Sequence, residues 1–375
     1  MNRIIYVGLD VHSTTFSACA AELHGNKIVY FAETKFGAGA SDVDKYLKNI
    51  KKNQSDDCEF VIGYEAGCLG FSLYTALRDI GIECKILAPT TMAVRKGGKR
   101  VKTDTRDARD IAANLAYGTC SFVHVPTAED CAVRDYIRMR NDHRQMLKRL
   151  KQQINALALR HGFHYENTKW TAVHIKQLRE LALSDLERET LDEYLATMQM
   201  LSAKIKAFDE RIEELSHKPA YEVRVSQLAC FCGITRKRAT SIITEVCDFN
   251  RFPKPSGFAA FVGLTPGEDS SGETVCRTPI TKAGNTHVRL ELVEAAQSIC
   301  RGCIGYKSKA LAARQKGNDS KVIAYADKAN ERLRRKYYRM IQHGKSRNVA
   351  VTAVARELGC FICGMMKDFS PAAAA

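Results

Sequence analysis

No uninterrupted apolar run in the sequence reaches about 18 residues, so no segment is expected to span a membrane. A secretory leader is not expected either. The first ten residues, MNRIIYVGLD, carry an acid in their short apolar run and no small-residue cleavage pattern. Acids are in short supply: 42 Asp and Glu stand against 57 Lys and Arg, giving +15 over 375 residues. That excess favours a polyanionic partner, nucleic acid first; the expected lack of a membrane span and of a leader points to a cytoplasmic location. Apolar content of 45% is enough to build cores for two or three domains. The fourteen cysteines read mainly as reduced core residues. Cys300/Cys303 and Cys360/Cys363 have C-x-x-C spacing, but both pairs sit in apolar, helix-like segments without the turn residues of a zinc knuckle, so structural zinc is the weaker reading.

Hydrophobic patterning divides the chain into three parts. Residues 4–9, IIYVGL, read as a buried strand ending at Asp10. Residues 14–21 and 27–34 read as two strands joined by the turn His24-Gly25-Asn26. A helix from Ser41, a strand ending at Glu65, a helix near 70–80, a strand at 82–87 and a helix to about Ala116 follow, with a basic loop at 95–100 between the last two. This order predicts a mixed α/β sheet with an antiparallel hairpin beside parallel strands. In the middle, Leu191, Tyr194, Met198, Leu201, Ile205, Phe208, Ile212 and Leu215 recur in steps of three and four. With Met146, Leu147, Leu150, Ile154 and Leu157, they predict two long helices forming a helical hairpin, an intermolecular coiled coil, or both. The remainder reads as mainly helical, with a Gly/Pro/Ser-rich loop after FAAFVGL.

The stretch VKTDTRDARD, 101–110, places three carboxylates among cations. Asp104 and Asp107 are three apart and share a helix face, with Asp110 one step further round. Asp10 and Glu65 end neighbouring strands of the expected sheet, so four acids from two strands and one helix can converge. Hard oxygen ligands of this kind suit Mg²⁺ or Mn²⁺. A paired-ion site could stabilise both oxygens of a phosphodiester exchange. A D-x-x-D on a basic helix is also a common solvated surface. Asp10 tips the balance, because an acid closing a buried strand is costly without a partner. The adjoining Arg95, Lys96, Lys99, Arg100 and Lys102 are candidates for the phosphate backbone.

GLDVHSTT, YEAG and KTDTRDA occur in the order and spacing of the DEDD transposases of bacterial insertion sequences, the insertion-sequence-110 group that includes pilin-gene invertases. FAAFVGLTPGEDSSGETV followed by ITKAGNTHVRLELVEAA resembles that family's second block. The resemblance covers about 1–125 and 222–365. It implies an RNase H or RuvC-like domain over 1–128, a helical coiled-coil dimerisation region over 129–220, and a mainly helical transposase domain over 221–375. It also implies that Asp10, Glu65, Asp104 and Asp107 bind Mg²⁺ or Mn²⁺ and that Ser271, beside Ser270, is a nucleophile forming a covalent phosphoserine link to DNA. A structured guide RNA, a homodimer pairing into a tetramer, and work at the bacterial nucleoid without a membrane are implied as well.

The loop around Ser271 has no His beside it to act as base, so a serine there needs activation from elsewhere; S-S-G after P-G-E-D is also an ordinary turn. Lys282, Asn285 and Arg289 flank a Gly-Asn turn opening a helix and are candidates for phosphate contact, with helix capping by Asn285 as the plainer role. The family's usual I-P-G-I-G is here Phe231-Cys-Gly-Ile-Thr235, without the Pro or second Gly, although Arg236, Lys237 and Arg238 keep the charge. Two other readings share part of these features: a metal-dependent junction nuclease without serine chemistry, and a nucleic-acid-binding protein without catalysis.

Overall fold

A computed structural model of the chain describes residues 3–54, 58–67, 69–93, 103–268 and 276–369. The chain forms two compact units, Met1–Val125 and Pro126–Ala375.

The first unit contains, in order, β1 (Arg3–Val11), β2 (Thr15–His24), β3 (Lys27–Gly37), α1 (Ala40–Gln54), β4 (Cys58–Glu65), α2 (Ser72–Asp79), β5 (Cys84–Leu87) and α3 (Asp104–Tyr117). The expected order of elements is found. Strand order is β3-β2-β1-β4-β5; β1 pairs antiparallel with β2 and parallel with β4, and β4 pairs parallel with β5. Gly25 supplies the positive φ, 61°, of the β2–β3 turn.

Alternation in β1 separates two layers. Ile5, Val7 and Leu9 are fully buried against Val43, Leu47 and Ile50 of α1 and Leu73 and Leu77 of α2. The other face of β1 receives α3. A Cβ on Gly8 would lie 2.2 Å from the Ala108 carbonyl oxygen and 2.5 Å from the Ala112 nitrogen. Glycine at position 8 therefore lets the α3 backbone rest directly on the strand. Ile111 and Leu115 of α3 pack with Tyr6, Val61 and Leu87 further along.

The second unit opens with α4 (Ala128–Arg160), α5 (Ala172–Arg179) and α6 (Asp185–Ser216). The two long helices form the helical hairpin, antiparallel within one chain. Leu150, Ile154 and Leu157 meet Leu191, Leu195, Met198 and Leu201, and Arg140 pairs with Asp209 at 2.7 Å. Met146 of the expected stripe is instead exposed. Then come α7 (Glu222–Leu228), α8 (Arg236–Val246), α9 (Pro255–Phe261), β6 (Pro266–Glu268), β7 (Arg277–Ile280), α10 (Thr286–Cys300), α11 (Lys309–Gln315), α12 (Ser320–Gln342) and α13 (Arg347–Asp368). The antiparallel β6–β7 pair brackets the segment read from sequence only as a loop.

The base of the hairpin, Val133, Ile137, Ile212 and Leu215, belongs to the same core as α7 to α13. Among the described residues, α13 alone is long and apolar enough to cross a membrane by length and composition. Its apolarity has a nearer cause, since Val354, Leu358, Ile362 and Met365 are fully buried in that core.

Candidate functional site

Three strands align a polar row. Asp10 pairs with Ser17 across β1 and β2, and Ser17 pairs with Lys35 across β2 and β3. Glu65 stands one step past the Leu9–Tyr64 pair of β1 and β4, level with Asp10. Asp10 shares the parity of Gly8, so its side chain emerges on the α3 face. α3 runs against β1, with Ala112 and Ala108 over Gly8, and its first turn reaches Asp10. That turn carries Asp104 and Asp107, where acids favour the positive end of the helix dipole.

One donor atom each from Asp10, His12 and Asp104 lies within 4.8 Å of the other two. His12 Nε2 is 3.2 Å from Asp10 Oδ2 and 3.8 Å from Asp104 Oδ1. Lys35 Nζ donates to Asp104 Oδ2 at 3.0 Å. Asp10 Oδ2 is buried, with His12 Nε2 within ion-pair reach of it. Burial raises the Asp10 carboxyl above its ordinary range; His12 opposes the shift, and the charges of Asp107 and then Asp104 add to it. Asp104 moves the other way, because Lys35 donates to its charged form. Arg109 of α3 grips Glu33 of β3 through two bonds, 2.7 and 2.8 Å, so the helix carrying the acids is tied to the sheet twice.

The structure thus brings Asp10 and Asp104 together, with the charge of Asp107 felt at Asp10; Glu65, which is exposed, stands level with Asp10 by register and is not part of the cluster. Sequence reading missed His12 and Lys35. His12 gave only a weak signal: it follows Asp10 by two residues, just past the end of β1. Lys35 had none, because its place depends on the β2–β3 register.

The other expected residues are distributed differently. Arg95, Lys96, Lys99, Arg100 and Lys102, and both Ser270 and Ser271, lie outside the described residues. Asn285 caps α10, accepting from the Val288 N–H at 2.9 Å, and donates to Glu245 at 2.8 Å. Arg289 donates to the Val262 carbonyl at 2.8 Å. Lys282 is exposed in the preceding turn, with φ of 54°. The run 236–238 is engaged internally. Arg236 pairs with Glu222 at 2.6 Å, Lys237 with Asp209 at 2.8 Å, and Arg238 with Glu291 at 3.1 Å. These contacts fasten α8 to α6, α7 and α10. Among the described residues, Asp10, His12 and Asp104 are the only metal-type cluster, and neither C-x-x-C pair forms one.

Comparison with known proteins identifies the family. Residues 7–163 match a DEDD transposase family of the IS110 type, and residues 225–311 match the family described as "Transposase IS116/IS110/IS902 family". A putative transposase, y4qE, of Sinorhizobium fredii is 32% identical over 98% of this chain and 89% of its own length. The transposase for insertion sequence element IS1533 of Leptospira borgpetersenii is 29% identical over 90% of this chain and 96% of its own. The transposase for element IS1111A of Coxiella burnetii is 22% identical over 80% and 79%. The acid-bearing first unit and the helical second unit are each matched, in the same order, and the chain belongs to the IS110 family of insertion-sequence DEDD transposases.

Proposed function

We propose that this transposase cuts and rejoins DNA with two cooperating groups, a divalent-metal site on Asp10, Glu65, Asp104 and Asp107 and a serine nucleophile, Ser271. The observation that carries the metal site is Asp10 Oδ2: buried, faced by two more carboxylates, and met by the His12 imidazole at 3.2 Å. A charged oxygen in such a place needs a cation, and the donors at hand are mostly hard oxygens suited to Mg²⁺ or Mn²⁺. The sheet order β3-β2-β1-β4-β5, with acids on β1 and at the end of β4, supports an RNase H or RuvC-like first domain. When bound, the metal would supply Lewis-acid stabilisation of the phosphodiester undergoing exchange.

The protein's own groups do the rest. Ser271 attacks phosphorus and gives up its hydroxyl proton; a serine oxygen–phosphorus bond forms as one phosphorus–oxygen bond of the strand breaks, and the departing oxygen takes up a proton, so no net proton is gained or lost. The number of phosphate ester bonds is unchanged, so rejoining needs no nucleotide cofactor. Lys35 orients Asp104 by its hydrogen bond. The cations at 95–102, with exposed Lys282, hold the backbone. Arg236, Lys237 and Arg238 serve the fold rather than the substrate, since each already has a carboxylate partner. A structured guide RNA would select the DNA, and the α4–α6 hairpin would join protomers into a dimer that pairs into a tetramer.

The test is covalent trapping. Protein, with any RNA that copurifies, is mixed with end-labelled DNA spanning the element's junction and Mg²⁺, then denatured and run on a gel beside Ser271→Ala and Asp104→Ala. The expected result is a labelled protein–DNA adduct that both substitutions abolish. Cleavage without adduct, unchanged by Ser271→Ala, would replace this mechanism by a plain metal-dependent nuclease.

A further inference from the structure

Trp170 is the only tryptophan in the chain. Its backbone sits at φ 72°, a conformation unfavourable for a bulky side chain and one that concentrates at ligand sites. The loop holds it there. The Trp170 N–H donates to His174 Nδ1 at 3.0 Å, while Thr171 caps α5 by accepting from the His174 N–H at 3.2 Å. The His174 ring stands edge-on to the indole, 5.2 Å between centroids.

The indole so fixed, one side of it packed against the core of the hairpin, walls an open cavity of about 560 Å³ alongside α4. Leu147 adds to the apolar wall, and Arg144, Lys148, Lys151 and Lys169 surround it. Arg144, Lys148 and Lys151 follow the i, i+4, i+7 spacing of one helix face. Lys151 Nζ lies 5.3 Å from the indole centroid. Among the described residues, no carboxylate lines the cavity.

We propose that this cavity binds an unpaired nucleotide of a single-stranded segment, its base on the indole and its phosphates among Arg144, Lys148 and Lys151. An aromatic face beside an acid-free row of cations matches a ligand with a π-face and a negative backbone. A small anion would need the cations but not the indole. A second copy of this face would bring cations against cations. A base inside a duplex is stacked on both sides and offers only its edges, so the strand must be open there. The Lys151 stem is long and flexible enough to leave the ring for a phosphate as the base arrives. The inference rests on the proposed function only for the class of partner, nucleic acid. It needs neither the metal nor Ser271.

Because the tryptophan is single, its emission reports on this cavity alone. The full chain, in metal-free buffer, is titrated with end-labelled ten-nucleotide oligo-dT and oligo-U, following Trp170 emission and label anisotropy together. Emission should be quenched in step with the anisotropy rise, and the tighter strand identifies the source as DNA or RNA. Trp170→Ala should bind about tenfold or more weakly; Trp170→Phe should recover most of that loss, which separates stacking from misfolding. Lys148→Ala with Lys151→Ala should flatten the dependence of affinity on salt by roughly 0.7 per lost phosphate contact. Ser271→Ala and Asp10→Asn should quench as the wild type does, which separates this site from the proposed chemistry. Anisotropy that saturates without quenching, equal quenching by duplex DNA, or unchanged affinity in Trp170→Ala would each overturn the proposal.

Discussion

Arg138 of α4 and Glu245 of α8 form a two-pronged ion pair, Nε to Oε1 at 2.8 Å and Nη2 to Oε2 at 2.9 Å. Glu245 is buried, and its second oxygen also accepts from Asn285, the cap of α10. One carboxylate therefore joins three helices: the hairpin, the helix behind Gly233, and the helix that follows the β6–β7 pair. Burial works against the charge of Glu245, but hydrogen bonds from Arg138 and Asn285 hold its carboxyl below the usual range.

Arg138→Ala should leave that carboxylate buried with only Asn285 and distant charges to compensate. The loss should fall somewhat below the about 3–5 kcal/mol typical of a fully buried pair, because the Arg138 side chain is 37% exposed. The sign with pH follows from the depressed carboxyl. Its stabilisation is present above the unfolded carboxylate value, about 4.3, and is lost as pH falls through the lower folded value. Denaturant melts of both proteins should therefore differ most above about pH 5 and converge on acidification. A gap that is constant with pH would show that the pair's charge contributes nothing.

Much of the first unit was legible because its signals are local. The apolar run 4–9, the His24-Gly25-Asn26 turn and the acid at the end of each inner parallel strand report on their own neighbourhoods, and the structure places them as expected. The stripe from Leu191 to Leu215 was legible for the same reason. Relationships across register or across helices were not. Lys35 reaches Asp104 over 69 positions, and the partners of the 236–238 run lie on α6, α7 and α10. A run of like charge looks identical in sequence whether it faces phosphate or internal carboxylates. The β6–β7 pair was missed because three or four residues cannot display a period, and α5 because two turns give too few apolar repeats.

Asp10→Asn should abolish strand cleavage while making the first unit more stable without metal. In wild type the ionised carboxylate is partly desolvated, with Oδ2 buried, and is repelled by Asp107 and Asp104, which His12 only partly offsets. The amide removes the charge at nearly equal volume, a gain on the order of 1 kcal/mol. Thermal melts with and without Mg²⁺ decide it. Wild type should rise with Mg²⁺ and the variant should not; a variant less stable than metal-free wild type would mean that Asp10 is structural.

Gly8→Ala tests whether the seat of α3 sets the site. The added methyl meets backbone atoms of Ala108 and Ala112, which cannot rotate away, so the helix must lift. A cost of about 2 kcal/mol or more is expected from overpacking. Lifting α3 also draws Asp104 and Asp107 away from Asp10. Mn²⁺ affinity, measured calorimetrically below the melting range, should fall even in the fraction that stays folded. Unchanged affinity beside a lowered Tm would separate the packing of α3 from the geometry of the acids.

Lys35→Met addresses the cation already at the site. Lys35 Nζ occupies one oxygen of Asp104 and contributes to holding its carboxyl low. An incoming divalent ion must share or displace that contact, and the ammonium repels it. Methionine keeps the stem's length and packing without the charge. Both members of the pair are about half exposed, 55% and 45%, so melting temperature should hardly move. Without DNA, Mn²⁺ should bind more tightly to the variant, and the difference should shrink as salt rises, because screening weakens the repulsion that Lys35 exerts. Weaker binding in Lys35→Met would mean that the lysine's main effect is to orient Asp104 for the ion, and that its charge is a lesser matter.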